Sequence, residues 1–307
     1  MDRLEGMRVF VAVAEARGFA PAARLLGMSP PAVTRAVAAI EQHVGAQLLR
    51  RTTRSVSLTD AGTRFHADCK RILADIAEAE AAAGGAYTAP QGLLAITAPA
   101  MFGRLHVAPV VLDFLAAHPQ VSARTWFADH VVHLLDEGFD VAVRIARLAD
   151  SGLRAVPVGQ VRRVVVASPG YLAAHGVPRT PADVAQHAAI GFSQHGAVNV
   201  PWAFGTRGES VQPRMQLVGN TGEMAIAAAL AGHGLARAMS YQVADDVLAG
   251  RLRIVLAGHE PAPVPVQLVH LEGRRATAKL RAFIDFSVAR LRDVPVLNGR
   301  FPWPEPA

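Results

Sequence analysis

Apolar residues recur at three- and four-residue spacing from the start of the chain. Leu4, Met7, Phe10, Val11 and Ala14 form one helical stripe that stops at Gly18. Pro21 suits the first turn of a second helix carrying Ala22, Leu25 and Leu26, which Gly27 ends. A third helix follows. Ser29 stands where an N-cap side chain would accept a backbone N–H, Pro30 sits where a missing N–H is harmless, and Val33, Val37, Ile40 and Val44 share one face. The opposite face presents Pro31, Thr34, Arg35 and Ala38. Residues 50–58, RRTTRSVSL, then alternate like a small β-hairpin. Short helices joined by a tight turn, a polar-faced helix and a hairpin make a winged helix-turn-helix.

From Leu58 onward, Gly62, Phe65, Cys69, Ile72, Ile76, Ala79 and Ala83 alternate at four- and three-residue intervals. That is the period of about 3.5 residues of a coiled-coil seam, so a long linker helix is expected to meet a partner helix through Phe65, Cys69, Ile72 and Ile76. The alternative is a helix lying on its own domain, which prefers a wider stripe. Gly84-Gly85 ends the helix, and Tyr87-Thr88-Ala89-Pro90 reads as a hinge. Beyond Gly92 short β runs alternate with helices: LLAITA, a helix up to His118, VSARTWF, a helix near Val131 to Asp136, and DVAVRIA. This predicts a parallel α/β sheet. A second series begins at VRRVVVASP and includes AAIGF, MQLVGN, the helix of GEMAIAAALAGHG, LARAM, RLRIVL and PVPVQLVHL, closed by a helix from about Thr277 to Arg292. The strand-rich passages at 161–169 and 264–271 are placed to carry the chain between two lobes. From Val294 the proline content predicts a loose tail.

The run FVAVAEARGFAPAARLLGMSPPAVTRAVAAIEQHVGAQLLRRTTRSVSLTDAG makes residues 1 to about 65 similar to the DNA-binding domain of LysR-type transcriptional regulators. Helices, turn glycine, wing and the Leu58-Thr59-Asp60-Ala61-Gly62 run keep that family's order. The resemblance extends to about residue 292. It implies an α/β multidomain chain: a winged helix-turn-helix at 1–58, a linker helix and hinge at 59–89, a two-lobed effector domain resembling periplasmic binding proteins at 90–293, and a Pro-rich tail at 294–307. It further implies a double-stranded DNA operator, a small-molecule effector, with a carboxylate among the candidates, a homodimer or homotetramer, and no cofactor.

Composition sharpens this reading. The chain has 307 residues, 51% of them hydrophobic and 18% charged, which excludes bulk disorder and favours two domains. The net charge of +6 comes almost wholly from arginine, with only Lys70 and Lys279 as lysines. Between Arg17 and Arg54 six arginines face the single acid Glu41, so much of the excess lies in the DNA-reading segment. The one cysteine, Cys69, excludes an internal disulfide or a multi-cysteine metal site, and reads as a buried small hydrophobe with a redox role as the alternative. The N-terminus lacks the order of a signal peptide and no 18 apolar residues run without a charge, so a cytoplasmic protein without a membrane partner is expected.

Groove reading needs cations for phosphates and a few side chains at base edges. Arg35 and Thr34 are the leading candidates, beside Pro31. Ser29 is explained by capping alone. The family often carries Gln where Pro30 stands, so base preference there is altered. Arg50, Arg51, Thr52, Thr53 and Arg54 are assigned to the wing, with Arg50 or Arg51 able instead to pair with Glu41. For the effector, the backbone of Thr97, Ala98, Pro99, Ala100 and Met101 can face an anion, Asn220 and Thr221 stand at a helix mouth, Arg144 can clamp a carboxylate or pair with Asp129 or Asp140, and Phe192 and Trp202 are candidate walls. His130, His133 and Asp136 are too few for a metal. Gly191-Phe192-Ser193-Gln194-His195-Gly196 is too long for a nucleophile elbow, and Gly232-His233-Gly234 lacks a dinucleotide fingerprint's third glycine. A sequence-specific, effector-modulated transcriptional regulator rather than an enzyme is therefore expected. The alternatives are an architectural DNA-binding protein and an enzyme with an appended DNA-binding module.

Overall fold

A computed structural model describes residues 2–51, 56–83, 89–132, 134, 137–147, 153–193, 197, 200–205, 208–271 and 277–304. The chain divides into two compact units, residues 1–89 and 90–307.

The first unit contains α1 (Arg3–Glu15), α2 (Phe19–Leu26), α3 (Pro30–Val44), the antiparallel pair β1 (Leu49–Arg51) and β2 (Val56–Leu58), and α4 (Asp60–Ala83). Its core joins Val9, Phe10 and Val13 of α1 to Val33, Val37 and Ile40 of α3. Two positions depart from the helical stripe. Leu25 is 73% exposed and Val44 39%: α2 packs through its alanines, Ala22 and Ala23, and Val44 is the last residue of α3, beyond the buried Ile40. Gly27, at φ 65°, takes the left-handed conformation that ends α2 and lets α3 leave at an angle. Gly62 serves close approach. A Cβ there would stand 1.9 Å from the Leu48 carbonyl oxygen, so only glycine lets α4 start against the wing. Thr59 fixes that start: its hydroxyl donates to the Gln47 carbonyl and accepts from the Gly62 N–H.

The linker seam is corrected in its first half. Cys69 is fully buried in the core of its own unit and Phe65 packs on that core, with its ring 5.5 Å from Phe10. Cys69 therefore has no surface left for a second chain, while Phe65 remains partly exposed. The repeat resembles a seam because α1 presents an apolar stripe to α4, and a stripe does not reveal which helix covers it. Ile72 and Ile76 are half-buried. Gly84, Gly85, Tyr87 and Thr88 lie outside the described residues.

The second unit has two lobes, each built on a five-stranded sheet. The first comprises β3 (Gly92–Ala98), α5 (Ala100–Phe102), a π turn (Gly103–Val107), α6 (Ala108–Ala117), β4 (Val121–Phe127), β5 (Val141–Ile145) and β6 (Leu153–Val161). The chain crosses at Arg162 into β7 (Arg163–Ala167), α7 (Pro169–His175), β8 (Ala188–Phe192), β9 (Trp202–Phe204), β10 (Glu209–Val211), β11 (Arg214–Gly219), α8 (Gly222–Leu230), β12 (Leu235–Met239), α9 (Ser240–Leu248) and β13 (Arg253–Val255). It returns through β14 (Val264–Leu271) and closes with α10 (Ala278–Arg292).

Strand order is β4-β3-β5-β14-β6 in the first lobe and β11-β8-β12-β7-β13 in the second. Both sheets are mixed rather than parallel: β14 runs antiparallel to β5 and β6, and β7 antiparallel to β12 and β13, since each crossing reverses the chain. The segment from Ala100 to Ala117 is apolar enough to span a membrane by composition, but Phe102, Val107, Val110, Val111 and Phe114 are packed in the first-lobe core. The helix expected near Val131 is not formed among the described residues; Val132, Leu134 and Phe139 instead cap the other face of that sheet.

The tail is docked rather than loose. Leu297 is fully buried and its carbonyl accepts the Gln160 N–H, against Gly159, where a Cβ would lie 2.7 Å from that oxygen. Arg162 pins the crossing. It forms two bonds with Glu260, at 2.8 Å from Nε to Oε2 and 2.7 Å from Nη2 to Oε1, and lies 5.0 Å over Trp303.

Candidate DNA interface and interlobe site

On α3, Pro31, Thr34 and Arg35 are exposed while Val33, Ala36 and Val37 turn inward, so the helical period sorts the exposed face from the core. Ser29 differs from expectation. It holds the N-cap position, yet its hydroxyl makes no cap hydrogen bond and the residue is exposed, so the side chain remains open to a nucleic acid. Pro30 and Pro31 bring no N–H, and the N–H groups of Ala32 and Val33 already bond the Ser29 carbonyl. The helix start therefore offers few backbone donors to a phosphate, which shifts that task to side chains. The Thr34 hydroxyl donates to the Pro30 carbonyl at 3.0 Å, which leaves its methyl and oxygen lone pairs for contact.

The Glu41 carboxylate accepts the N–H groups of Leu48 and Leu49 at 2.9 and 3.1 Å, tying the end of α3 to the wing. Arg50 is exposed on β1, where it pairs with Ser57. Arg51 belongs to β1 by its backbone, and Thr52, Thr53 and Arg54 lie outside the described residues.

In the second unit the lobes meet along α5, the π turn and α9. Met101 packs on both lobe cores. Tyr241, from the start of α9, enters the first-lobe core with its ring 5.1 Å from Phe102 and 5.6 Å from His106. Burial, reinforced by the Asp129 charge, pushes its phenol well above the usual range. Burial pulls His106 down to about 4, against an opposing effect of Asp245, and its Nε2 is buried without a hydrogen-bond partner. Arg104 of the π turn pairs with Glu223 of α8 at 3.2 Å, a polar link between the lobes. A Cβ on Gly103 would lie 2.3 Å from the Phe127 ring, so the turn keeps its path by lacking a side chain there.

Several expected ligand groups are committed to the protein itself. Thr97 is buried and its hydroxyl donates to the Trp126 carbonyl at 2.8 Å. Ala98 is buried in the first-lobe core, and the Ala100 N–H donates to Asp129 at 3.0 Å, so the anion expected at this helix start is the chain's own carboxylate. Pro99, Ala100 and Met101 remain half-buried. Arg144 donates to the Val132 carbonyl, while Asp140 accepts the Ala95 N–H; burial lowers the Arg144 pKa, opposed by Glu137. Trp202 is 2% exposed and belongs to the second-lobe core, not to a wall. Phe192 ends β8 half-buried. Thr221 caps α8 by accepting the Met224 N–H at 3.3 Å, and Asn220 beside it is exposed.

His133, Asp136, Gln194, His195 and Gly196 lie outside the described residues, which contain no cluster of three metal-binding side chains. Sequence reasoning missed Arg104, His106, Tyr241 and Arg237. Arg237 alone carried a signal, as the single charged residue in the apolar run Leu235-Ala236-Arg237-Ala238-Met239.

Residues 4–63 match the family described as bacterial regulatory helix-turn-helix protein, lysR family, and residues 88–292 match the LysR substrate binding domain. The chain is 33% identical over 289 residues to the HTH-type transcriptional regulator CrgA of Neisseria meningitidis, covering 94% of this chain and 96% of that protein. It is 31% identical over 285 residues to the HTH-type transcriptional regulator DmlR of Escherichia coli, covering 92% of each. The solved structure of CrgA superposes with a TM-score of 0.60 over 94% of this chain and 98% of that one, at 32% identity. A polar-faced α3, a β-hairpin and a two-lobed second unit thus coincide with both family matches along nearly the whole length, and the chain belongs to the LysR family of transcriptional regulators.

Proposed function

We propose that this regulator reads its operator through Ser29, Thr34 and Arg35 of α3, with Pro30 and Pro31 in apolar contact and Arg50, Arg51, Thr52, Thr53 and Arg54 on the flanking backbone. The observation that carries this is the exposed Ser29 hydroxyl, which makes no cap hydrogen bond, together with the exposed Arg35 on the same helix. Two copies pair through the outer part of α4, where Ile72 and Ile76 remain half-buried, and the homodimer can assemble further to a tetramer. The protein acts in the cytoplasm, without catalysis.

The effector is a small molecule taken between the lobes, near Met101, Asn220 and Thr221. The contact of Tyr241 with Phe102 and the Arg104–Glu223 pair favour this placement, because both must alter when the lobes change separation. A ligand shifts operator affinity by no more than its differential affinity for the two lobe arrangements.

Operators selected in vitro from random DNA, followed by binding of the full-length chain with and without carboxylates, amino acids, aromatic acids and sugars, test both statements. Selection of one motif and a ligand-dependent change in affinity are expected. Binding to all sequences alike, unmoved by every ligand, would favour the architectural alternative.

A further inference from the structure

Arg237 lies on β12, the central strand of the second-lobe sheet. Strand alternation sends Ala236 and Ala238 to one face of that sheet, and Leu235 with Arg237 to the other, beside Trp202. There the guanidinium stacks over Trp202, 5.8 Å from the ring centroid. It makes no hydrogen bond or ion pair among the described residues. Arg237 is paired across the ladder with Val165, and Met239 with Arg163. The second arginine therefore lies diagonally beside the first on the same face.

Among the described residues no carboxylate pairs with this cation. The Arg237 pKa falls to about 10, first through burial and then through the Arg163 charge. Partly buried charges are ordinarily paired, and an unpaired one costs folding free energy. The fork still reaches solvent: Arg237 is half-buried, none of its nitrogens is sealed off, and Arg163 is exposed.

We propose that Arg237, supported by Arg163, binds the carboxylate group of a small ligand on the second lobe. A planar carboxylate fits a guanidinium fork with two parallel hydrogen bonds, while Trp202 covers the flat face of the same guanidinium. The proposal goes beyond the effector placement near Met101, Asn220 and Thr221 and rests on the effector reading only for a consequence at the operator; the binding step needs no DNA.

The test uses the full-length protein with sodium benzoate and sodium malonate as probes, against sodium chloride at equal ionic strength. Phenylglyoxal attacks accessible arginines in their neutral form, and peptide mass spectrometry reads each one separately. Arg237 is expected to react rapidly and to be protected about fivefold or more by at least one probe near saturation, while the exposed Arg24 is unaffected. Arg237→Gln is expected to abolish the probe-induced rise in Tm. Arg163→Gln, at an exposed position, should weaken the probe about tenfold and stands in if Arg237→Gln does not fold. Equal labelling of Arg237 with and without both probes, or protection of Arg24 to the same extent, overturns the assignment. With no DNA present, that failure leaves both operator recognition and an effector site between the lobes intact.

Discussion

Arg104 in the π turn of the first lobe and Glu223 in the first turn of α8 in the second form an ion pair of 3.2 Å, although 119 positions separate them in the chain. Their side chains are 60% and 55% exposed, so water screens most of the attraction and the pair contributes no more than about 1 kcal/mol. Its place between lobes gives it another role, as a link that must break when they part. Glu223→Gln is expected to move Tm by less than about 4 °C, yet to change the ligand concentration needed to alter operator affinity. Calorimetry and a ligand titration on the operator check both. A fall in Tm well beyond that range would make the pair structural.

Ser29→Ala offers an inverted expectation for a helix start. Loss of an N-cap side chain ordinarily costs about 1 kcal/mol, but the Ser29 hydroxyl bonds no backbone N–H, so unfolding should be unchanged while operator affinity falls. Arg35→Ala should weaken binding and blur the selected motif. Arg50→Ala removes an exposed cation from β1, and if Arg50 neutralises a phosphate as proposed, the slope of log K against log salt should fall by about 0.9 for each copy bound. Salt titrations of the variants on operator and random DNA distinguish these roles.

His106 predicts a pH dependence of stability. Its pKa is held down to about 4 in the folded protein, against 6.5 for the free side chain, chiefly by burial. The unfolded chain therefore binds a proton first. The stabilisation is complete above about pH 6.5 and is lost as pH falls towards 4, a swing of about 2–4 kcal/mol. His106→Phe, which keeps an aromatic ring against Phe102 and Tyr241 and removes the unpartnered Nε2, should flatten the fall in Tm between about pH 6.5 and 4.5. Parallel curves for the two proteins would remove His106 from that role.

Cys69 is fully buried and its thiol is pushed up to about 11, first by burial and then by Asp68. The thiolate that reacts is therefore scarce at neutral pH. Native protein should resist iodoacetamide until unfolded and form no cross-linked dimer under mild oxidation. Rapid labelling, or a dimer on a non-reducing gel, would place α4 differently.

Gly62→Ala introduces a Cβ 1.9 Å from the Leu48 carbonyl oxygen, a backbone atom that cannot swing aside. A loss of about 1–3 kcal/mol or more in the first unit is expected, with weakened operator binding because the wing shifts. Chemical denaturation and a binding curve test it. Gly45, with nothing within 4 Å of its Cβ position, is a useful contrast, since alanine there meets only the strain of φ 72°.

Legibility followed the range of the interactions. The α1, α2 and α3 segments were readable because helix formation depends on neighbours three and four residues away, and their caps and apolar stripes are local. The exposed Arg35 was readable for the same reason. The direction of Ser29 was not: residue type shows that a hydroxyl can cap, and only the backbone around it shows that it does not. Trp202 fails similarly, since an aromatic side chain suits a ligand wall and a core equally well until Val165 and Leu235 are seen beside it.

The order and spacing of helical stripes, turn residues and β runs by themselves determined a winged helix-turn-helix, a long helix and an α/β domain with two crossings. Tertiary structure alone decided what covers each stripe. It gave Cys69 to α1 of its own unit, the helix start at Ala100 to Asp129, the tail to Gly159, and left Arg237 without an anion among the described residues. The physical reason is that amphipathic patterning records which side of an element is dry. The partner on that side, and the pairing of each buried charge, depend on residues brought together from distant parts of the chain.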